Sequence, residues 1–409
     1  MAKREISGFA QLAKEQSLYP QEAPAKISKG NNKLIIGIPK ESSLQENRVS
    51  LKPEAVAVLV NNGHDVIVES GAGEKARYSD SEYSEAGAEI TVDTKKVFSS
   101  AILLKIEPPT LDECEMLKLG GTLVSAFQAG KQTVNYIEAL NKKRITAIGY
   151  EFLEDVARGL PLVRAMSEIA GSAVLQIAGE YLASPNNGQG VILGGVTGVP
   201  PAKVVIIGAG TVSEYAARAA IGLGVDIRIF DNHIYKLRRI KHALGHQVYT
   251  STLDHSALMI SLKNADVLIG ALRPEKGRSQ CVITEDMVRE MKPGAVIVDV
   301  SIDQGGCIET SEMTSHDKPI FRKHDVIHYC VPNIASRVAR TASIAISNIL
   351  TPILIRVGDE GGIDDMIYMN NWFRKGVYTY RGSLTHLGLA KKFNMGFKDL
   401  NLLMAARIS

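Results

Sequence analysis

Hydrophobic and polar positions along this chain follow two rhythms that alternate repeatedly: short runs rich in Val and Ile, and longer stretches with apolar residues at helical spacing. In the first third, runs at 34–38, 65–69, 102–106, 122–126 and 145–149 read as strands, with a helical pattern over 53–62. A second series at 204–207, 227–230, 267–270, 295–300 and 326–330 reads as another set of strands. Strands separated by helices pair in parallel, because a parallel pair needs a long crossover. The pattern therefore predicts an α/β fold with two sheets. Between the two series, LPLVRAMSEIAGSAVLQIAGEYLAS has small and apolar residues at helical spacing from Pro161, which predicts a long buried helix crossing between domains. From Arg340 the tail returns to helical patterns, with no new strand expected, and packs back on the first domain. The expected organisation is one discontinuous domain of residues 1–160 and 340–409, and a second domain of residues 161–339.

Length agrees with two domains, since 409 residues exceed what one hydrophobic core usually fills. A content of 45% hydrophobic and 22% charged residues excludes disordered and fibrous classes. The formal net charge is +3 and no long basic block occurs, so no nucleic-acid partner is expected. Cys114, Cys281, Cys307 and Cys330 are scattered and form neither a metal-ligand pair nor a disulfide framework. No metal site is expected, and a reducing cytoplasm fits best. The N-terminal MAKREISGFAQLAKEQSLYPQE lacks the apolar core of a signal peptide, and the apolar stretch 191–210 is interrupted by Pro200, Pro201 and Lys203. No membrane span is expected.

The most informative local pattern is KVVIIGAGTVS, Lys203 to Ser213. An apolar run enters Gly208-Ala209-Gly210 and then a helix-compatible stretch beginning Thr211-Val212. The first glycine permits a tight turn, the second lets backbone approach a pyrophosphate, and a helix N-terminus offers free N–H groups. Ser213 is small enough for the third role, close helix-to-strand packing. The next run, VDIRIFD, ends at Asp231, where a carboxylate accepts hydrogen bonds from an adenosine ribose and opposes a 2′-phosphate. This favours NAD over NADP, a preference tempered by Lys236, Arg238 and Arg239 just beyond.

The blocks IIGIPKE, ENRVSLKPE, NNGHDVIVESGAG, AMSEIAG, VVIIGAGTVS, MKPGAVIVDVSIDQGG and VPNIASRVARTASIAISN occur in an order that resembles the alanine dehydrogenase and transhydrogenase alpha-subunit family from about Lys33 onward. The tail GVYTYRGSLTHLGLAKKF and the MSE-x-AG block resemble its alanine dehydrogenase branch. The resemblance implies two Rossmann-like domains, the N-terminal one completed by the C-terminal helices. It implies NAD-dependent interconversion of L-alanine with pyruvate and ammonia, or action on a related small 2-amino or 2-oxo acid, by a homo-oligomer that is a hexamer in the family. The alternative is a catalytically silent NAD-binding relative or a transhydrogenase alpha-type subunit. Carried over by position, Arg48 in ENRVSL holds the substrate carboxylate, Asp303 serves the nicotinamide and substrate, Asn333 lies near the nicotinamide, and Ser167 and Leu272 touch the cofactor.

Two positions depart from the family. Its K-x-K-E-P strand end reads KIEPP here, which puts Glu107 at a substrate-contacting lysine and Lys105 on the other lysine. As alternate strand positions, Lys105 and Glu107 are expected on one face. Gln128, in LVSAFQAG, stands at the family's catalytic histidine, and glutamine can hydrogen-bond but cannot carry a proton near neutral pH. His64, His324 and His328 offer no obvious replacement.

Overall fold

The computed structural model describes residues 32–43, 45–272 and 281–405; the polar N-terminal lead-in lies outside them. The chain lays down β1 (Ile35–Ile38), β2 (Asp65–Glu69), β3 (Glu89–Thr91), β4 (Ile102–Leu104), β5 (Thr122–Ser125) and β6 (Thr146–Gly149) as one sheet. It then builds a second from β7 (Lys203–Ile207), β8 (Asp226–Phe230), β9 (Tyr249–Ser251), β10 (Val267–Gly270), β11 (Val296–Asp299), β12 (Ile320–Lys323) and β13 (Val326–Tyr329). Finally β14 (Val377–Tyr380) and β15 (Ser383–Leu384) return to the first sheet. The spatial orders are β15-β14-β6-β5-β4-β1-β2-β3 and β12-β13-β11-β10-β7-β8-β9.

Counting only the parallel strands, both sheets run 3-2-1-4-5-6, the doubly wound order of a Rossmann-like domain. The winding reverses between β1 and β4 in the first sheet and between β7 and β10 in the second. Loops leaving the carboxyl ends of such a pair diverge, so each sheet has a crevice at that point. Central strands such as β10 and β11 are buried at every position, which is why they read as continuous apolar runs rather than alternating ones.

Four helices hold the sheets and their crevices in place: α1 (Pro53–Asn61), α2 (Pro161–Leu182), α3 (Thr211–Leu223) and α4 (Ala339–Asp359). Helix α2 lies against α3 so closely that any side chain at Gly171 would strike the Val212 carbonyl, which explains the glycine in MSEIAG. Ile346, Leu350, Leu354 and Val357 of α4 pack with Leu34, Ile36, Val56 and Leu59 in the core of the first sheet. The serines of this apolar helix have a purpose. Ser343 Oγ accepts the Val49 N–H at 2.9 Å and Ser347 Oγ accepts the Lys52 N–H at 2.8 Å, pinning the irregular segment that carries Arg48. Among the described residues, the stretch Ile334–Asp359 is long and apolar enough to cross a membrane, but these contacts make it a core helix.

The tail corrects the expectation that it adds no strand. Its VYTY run is β-branched and aromatic, buried at all four positions, and pairs antiparallel with β6. Arg381 (φ 47°) and Gly382 (φ 85°) then supply the two left-handed residues of a tight hairpin into β15. Four residues between helical stretches are too few to register a period of two. The short strands β3, β9 and β12, each at or next to a sheet edge and partly exposed, escaped the sequence pattern for the same reason.

Candidate functional site

At the reversal in the second sheet, β7 is followed directly by Gly208, whose φ is 103°. A Cβ there would lie 2.5 Å from the Ala271 carbonyl oxygen at the end of β10, so the fold itself demands this glycine. Leu272 follows directly across the crevice. Gly210, the N-cap of α3, has an ordinary φ of −86°, and nothing lies within 4 Å of where its Cβ would be. No side chain caps the helix, so its first turn, from Thr211 and Val212 onward, carries uncapped N–H groups with a favourable dipole beside the open space at Gly210. These residues fit a dinucleotide pyrophosphate.

Asp231, at the end of β8, is 1% exposed. Its Oδ2 accepts the Ala209 N–H at 2.8 Å, while Oδ1 accepts the His233 N–H at 2.7 Å and meets His233 Nδ1 at 2.9 Å. The carboxylate thus clamps the glycine turn, a structural task in addition to any contact with a ribose. Arg239 closes the other side, donating to the Ala209 carbonyl at 3.0 Å and to Glu214 at 2.9 Å. Lys236 Nζ lies 3.4 Å from His233 Nδ1.

The reversal in the first sheet is built from charge. Lys105, just past β4, is 1% exposed; its Nζ lies 2.8 Å from Glu41, just past β1, and 3.7 Å from Glu113. Glu41 also accepts the Ile106 N–H at 2.6 Å and the Glu107 N–H at 3.3 Å. Burial pushes the Glu41 carboxyl up to about 7 against the pull of Lys105. Burial opposes the charge on Lys105, but Glu41 and Glu113 outweigh it and hold its pKa above the ordinary lysine value.

The expectation that Lys105 and Glu107 share a face is therefore corrected. Strand β4 ends at Leu104, so alternation does not continue: Lys105 turns inward, whereas Glu107 lines an open cavity of about 300 Å³. Ser43, Thr110, Gln128, Lys131 and Tyr136 line the same cavity. Gln128 adopts a left-handed backbone, φ 52°, which is uncommon for a residue with a Cβ. It is held there by Glu151, which accepts the Gln128 N–H at 2.6 Å and the Phe127 N–H at 2.9 Å.

Arg48 lies in the irregular segment pinned by α4, with no strand directly before it. Its Nε and Nη2 grip both oxygens of buried Glu46, at 2.7 and 2.6 Å, and Nη1 reaches the Met166 sulfur at 3.2 Å. Burial works against the Glu46 charge, but Arg48 outweighs it and holds this carboxyl below its usual range. Glu46 Oε2 also accepts from Asn333 Nδ2 at 2.8 Å, and Asn333 follows β13 of the second sheet in a left-handed conformation, φ 63°. Arg48 of the first lobe, Met166 of α2 and Asn333 of the second lobe therefore meet in one cleft.

Ser167 is the neighbour of Met166 and donates to the Val163 carbonyl at 2.8 Å. Asp303 is exposed in the turn Ile302–Gln304 after β11. Its carbonyl oxygen is 3.9 Å from the Cβ position of Gly130, so the loops after β5 and β11 approach each other across the cleft.

Glu41, Glu46, Glu113 and Glu151 were not anticipated. The first two stand inside the IPKE and ENR blocks, and a carboxylate beside a cation that must be buried is the signal they offered. His316 was also missed: its backbone N–H donates to Gln45 at 2.6 Å, burial lowers its pKa, and its Nε2 is buried without a hydrogen-bond partner. Three further histidines have structural partners. His64 accepts the Leu34 N–H, His324 meets Glu285, and His328 meets Thr310, with burial pushing His328 down to about 4.

Comparison with known proteins agrees with this architecture. The family models described as "Alanine dehydrogenase/PNT, N-terminal domain" and "Alanine dehydrogenase/PNT, C-terminal domain" match residues 37–170 and 173–387. An alanine dehydrogenase of Bacillus subtilis (strain 168) is 38% identical over 359 residues, covering 88% of this chain and 94% of that protein. A solved L-alanine dehydrogenase structure superposes with a TM-score of 0.83 at 34% identity, over 88% of this chain and 99% of the other. A transhydrogenase from Sinorhizobium meliloti shares the fold, with a TM-score of 0.73 at 24% identity over 87% of this chain and 99% of the other. With both family models matched in order over most of its length, the chain belongs to the alanine dehydrogenase/PNT family.

Proposed function

We propose that the protein is an NAD-dependent amino-acid dehydrogenase that interconverts L-alanine, NAD and water with pyruvate, ammonia and NADH, or acts on a related small 2-amino acid. The observation that carries this reading is helix α2, whose Met166 meets Arg48 Nη1 and whose Gly171 packs on the first turn of the uncapped helix that follows the glycine turn. NAD, when bound, supplies the hydride acceptor. Gly208, Ala209, Gly210, Thr211 and Val212 cradle its pyrophosphate, with Asp231, Lys236 and Leu272 toward the adenosine side and Ser167, Asp303 and Asn333 toward the nicotinamide.

Arg48 holds the substrate carboxylate with Nη1, kept in place from behind by Glu46. Asp303 handles protons of the amine and of the attacking water. Gln128 orients substrate by hydrogen bonding, and Lys105 acts from within the sheet as a fixed positive charge. In this reading residues 1–160 and 340–409 form the substrate domain and 161–339 the NAD domain of a cytoplasmic homo-oligomer, a hexamer as its family resemblance implies.

Gln128 in place of a titratable side chain favours one second reading: a silent NAD(H)-binding relative or a transhydrogenase alpha-type subunit. A panel of amino acids with NAD, followed by NADH absorbance, separates the two. Turnover of any small 2-amino acid supports the enzyme; NADH binding without turnover supports the second reading.

A further inference from the structure

We propose that Glu107 selects a 2-amino acid whose side chain ends in a cation, so that the preferred substrate is a basic amino acid such as ornithine rather than alanine. The proposal rests on the reading of the protein as an amino-acid dehydrogenase and specifies the substrate of that site.

The charges around the first reversal are unevenly matched. Glu41, Glu46, Glu107 and Glu113 lie around Arg48 and Lys105, and both of these cations are committed, Arg48 to Glu46 through two bonds and Lys105 to Glu41 and Glu113, while Lys75 donates to the Ser43 and Glu46 carbonyls. Glu107 is the carboxylate left over. Among the described residues, no donor hydrogen-bonds its carboxylate and no cation forms an ion pair with it. Lys131 lines the same cavity but is exposed and reaches no carboxylate. Arg48 and Lys105 act on the Glu107 charge only at longer range, each held by another carboxylate, so its oxygens remain open to a cationic ligand.

Its position is also fixed. Glu107 precedes Pro108, which disfavours a helical backbone at Glu107, and its N–H is held by Glu41. The carboxylate is therefore presented at low entropic cost, as a specificity group must be. The space before it is larger than alanine needs: the cavity of about 300 Å³ would be barely used by a methyl group, and Gln128 and Thr110 add polar atoms to its wall. Arg48 does not line this cavity but feels the Glu107 charge, so a substrate whose α-carboxylate lies on Arg48 must extend a flexible side chain into the cavity to meet Glu107. An apolar or acidic side chain would leave Glu107 unpaired or repelled.

The test compares L-ornithine with L-norleucine, its neutral isostere, and with L-alanine and L-glutamate, in wild type, Glu107→Gln and Glu107→Lys. A charge-assisted contact predicts that wild type prefers ornithine to norleucine by about tenfold or more in kcat/KM. Glu107→Gln should bring that ratio close to one, and Glu107→Lys should shift preference toward glutamate. Calorimetric titration of ornithine and norleucine into the NADH-loaded protein reads the same contrast without turnover. Alanine turnover with no ornithine preference overturns the proposal and leaves the dehydrogenase reading intact. An equal loss for every amino acid in Glu107→Gln also overturns it, because Glu107 would then serve the shared α-amino group. Absence of both NADH binding and turnover overturns the two together.

Discussion

The two sheets share one winding order, yet their reversals are finished in opposite ways. In the second, the backbone shapes the site: Gly208 lets β7 and β10 approach at the Ala271 carbonyl, Gly210 leaves a void, and a buried carboxylate, Asp231, is used to hold the turn. In the first, side chains fill the equivalent place with a buried cation between carboxylates, Glu41–Lys105–Glu113. A neutral cradle with free N–H groups receives a polyanion of constant shape, whichever substrate is used. A charged wall discriminates among substrates by the charge they bring. In the proposed reading identical topology thus supplies a cofactor site and a specificity site, and what differs is whether backbone or side chains terminate the strands.

Removing the cation from the charged reversal should have the largest effect. Lys105→Ala leaves Glu41 and Glu113 without their buried partner and should cost about 3–5 kcal/mol in urea unfolding. The pair Lys105→Met with Glu41→Gln, which removes both charges, should recover most of that loss. A Lys105→Ala variant as stable as the parent would show that the ion pair does not support the sheet.

At the neutral reversal the two glycines should separate. Gly210→Val fills the void and should weaken NADH binding by about 100-fold or more with little change in Tm, because its φ suits any residue. Gly208→Val should instead lower stability by about 2 kcal/mol or more, through its left-handed backbone and the Ala271 carbonyl. Equal effects of the two would erase the distinction between fold glycine and ligand glycine.

The charged reversal should also be sensitive to pH in a way the neutral one is not. The Glu41 carboxyl is raised from 4.5 to about 7 in the folded protein, so between these values the native state holds a proton that the unfolded chain releases. Its contribution is therefore greatest below the lower value and declines as pH rises toward the upper one, by roughly 3 kcal/mol at most. Urea midpoints measured from about pH 5 to about pH 8 in wild type and Glu41→Gln should differ in slope with that sign. Parallel curves would show that Glu41 does not titrate there.

The smallest effect belongs to the loop between the two reversals. Gln128→Gly removes the left-handed strain at φ 52° and should stabilise the protein by about 1 kcal/mol, read as a modest rise in Tm. No gain would indicate that Glu151 holds the turn without strain.

Much of this was legible in the chain itself. Continuous apolar runs announced β7, β10 and β11 because strands covered on both faces need no polar positions, and Gly208 after Ile207 announced the turn because few other residues tolerate its backbone. These are local properties, set by a residue and its near neighbours. The tail strand β14 and the fate of Lys105 were not local. VYTY becomes a strand because β6 offers an edge more than 200 residues earlier in the chain, and Lys105 turns inward because Glu41, 64 residues before it, reaches the same point. Local pattern was thus enough for two α/β sheets and the glycine turn between them and their cofactor. Long-range contacts alone settled which charged residues are consumed in holding the fold and which, like Glu107, are left to meet a ligand, since the cost of a buried charge depends on partners that sequence distance does not reveal.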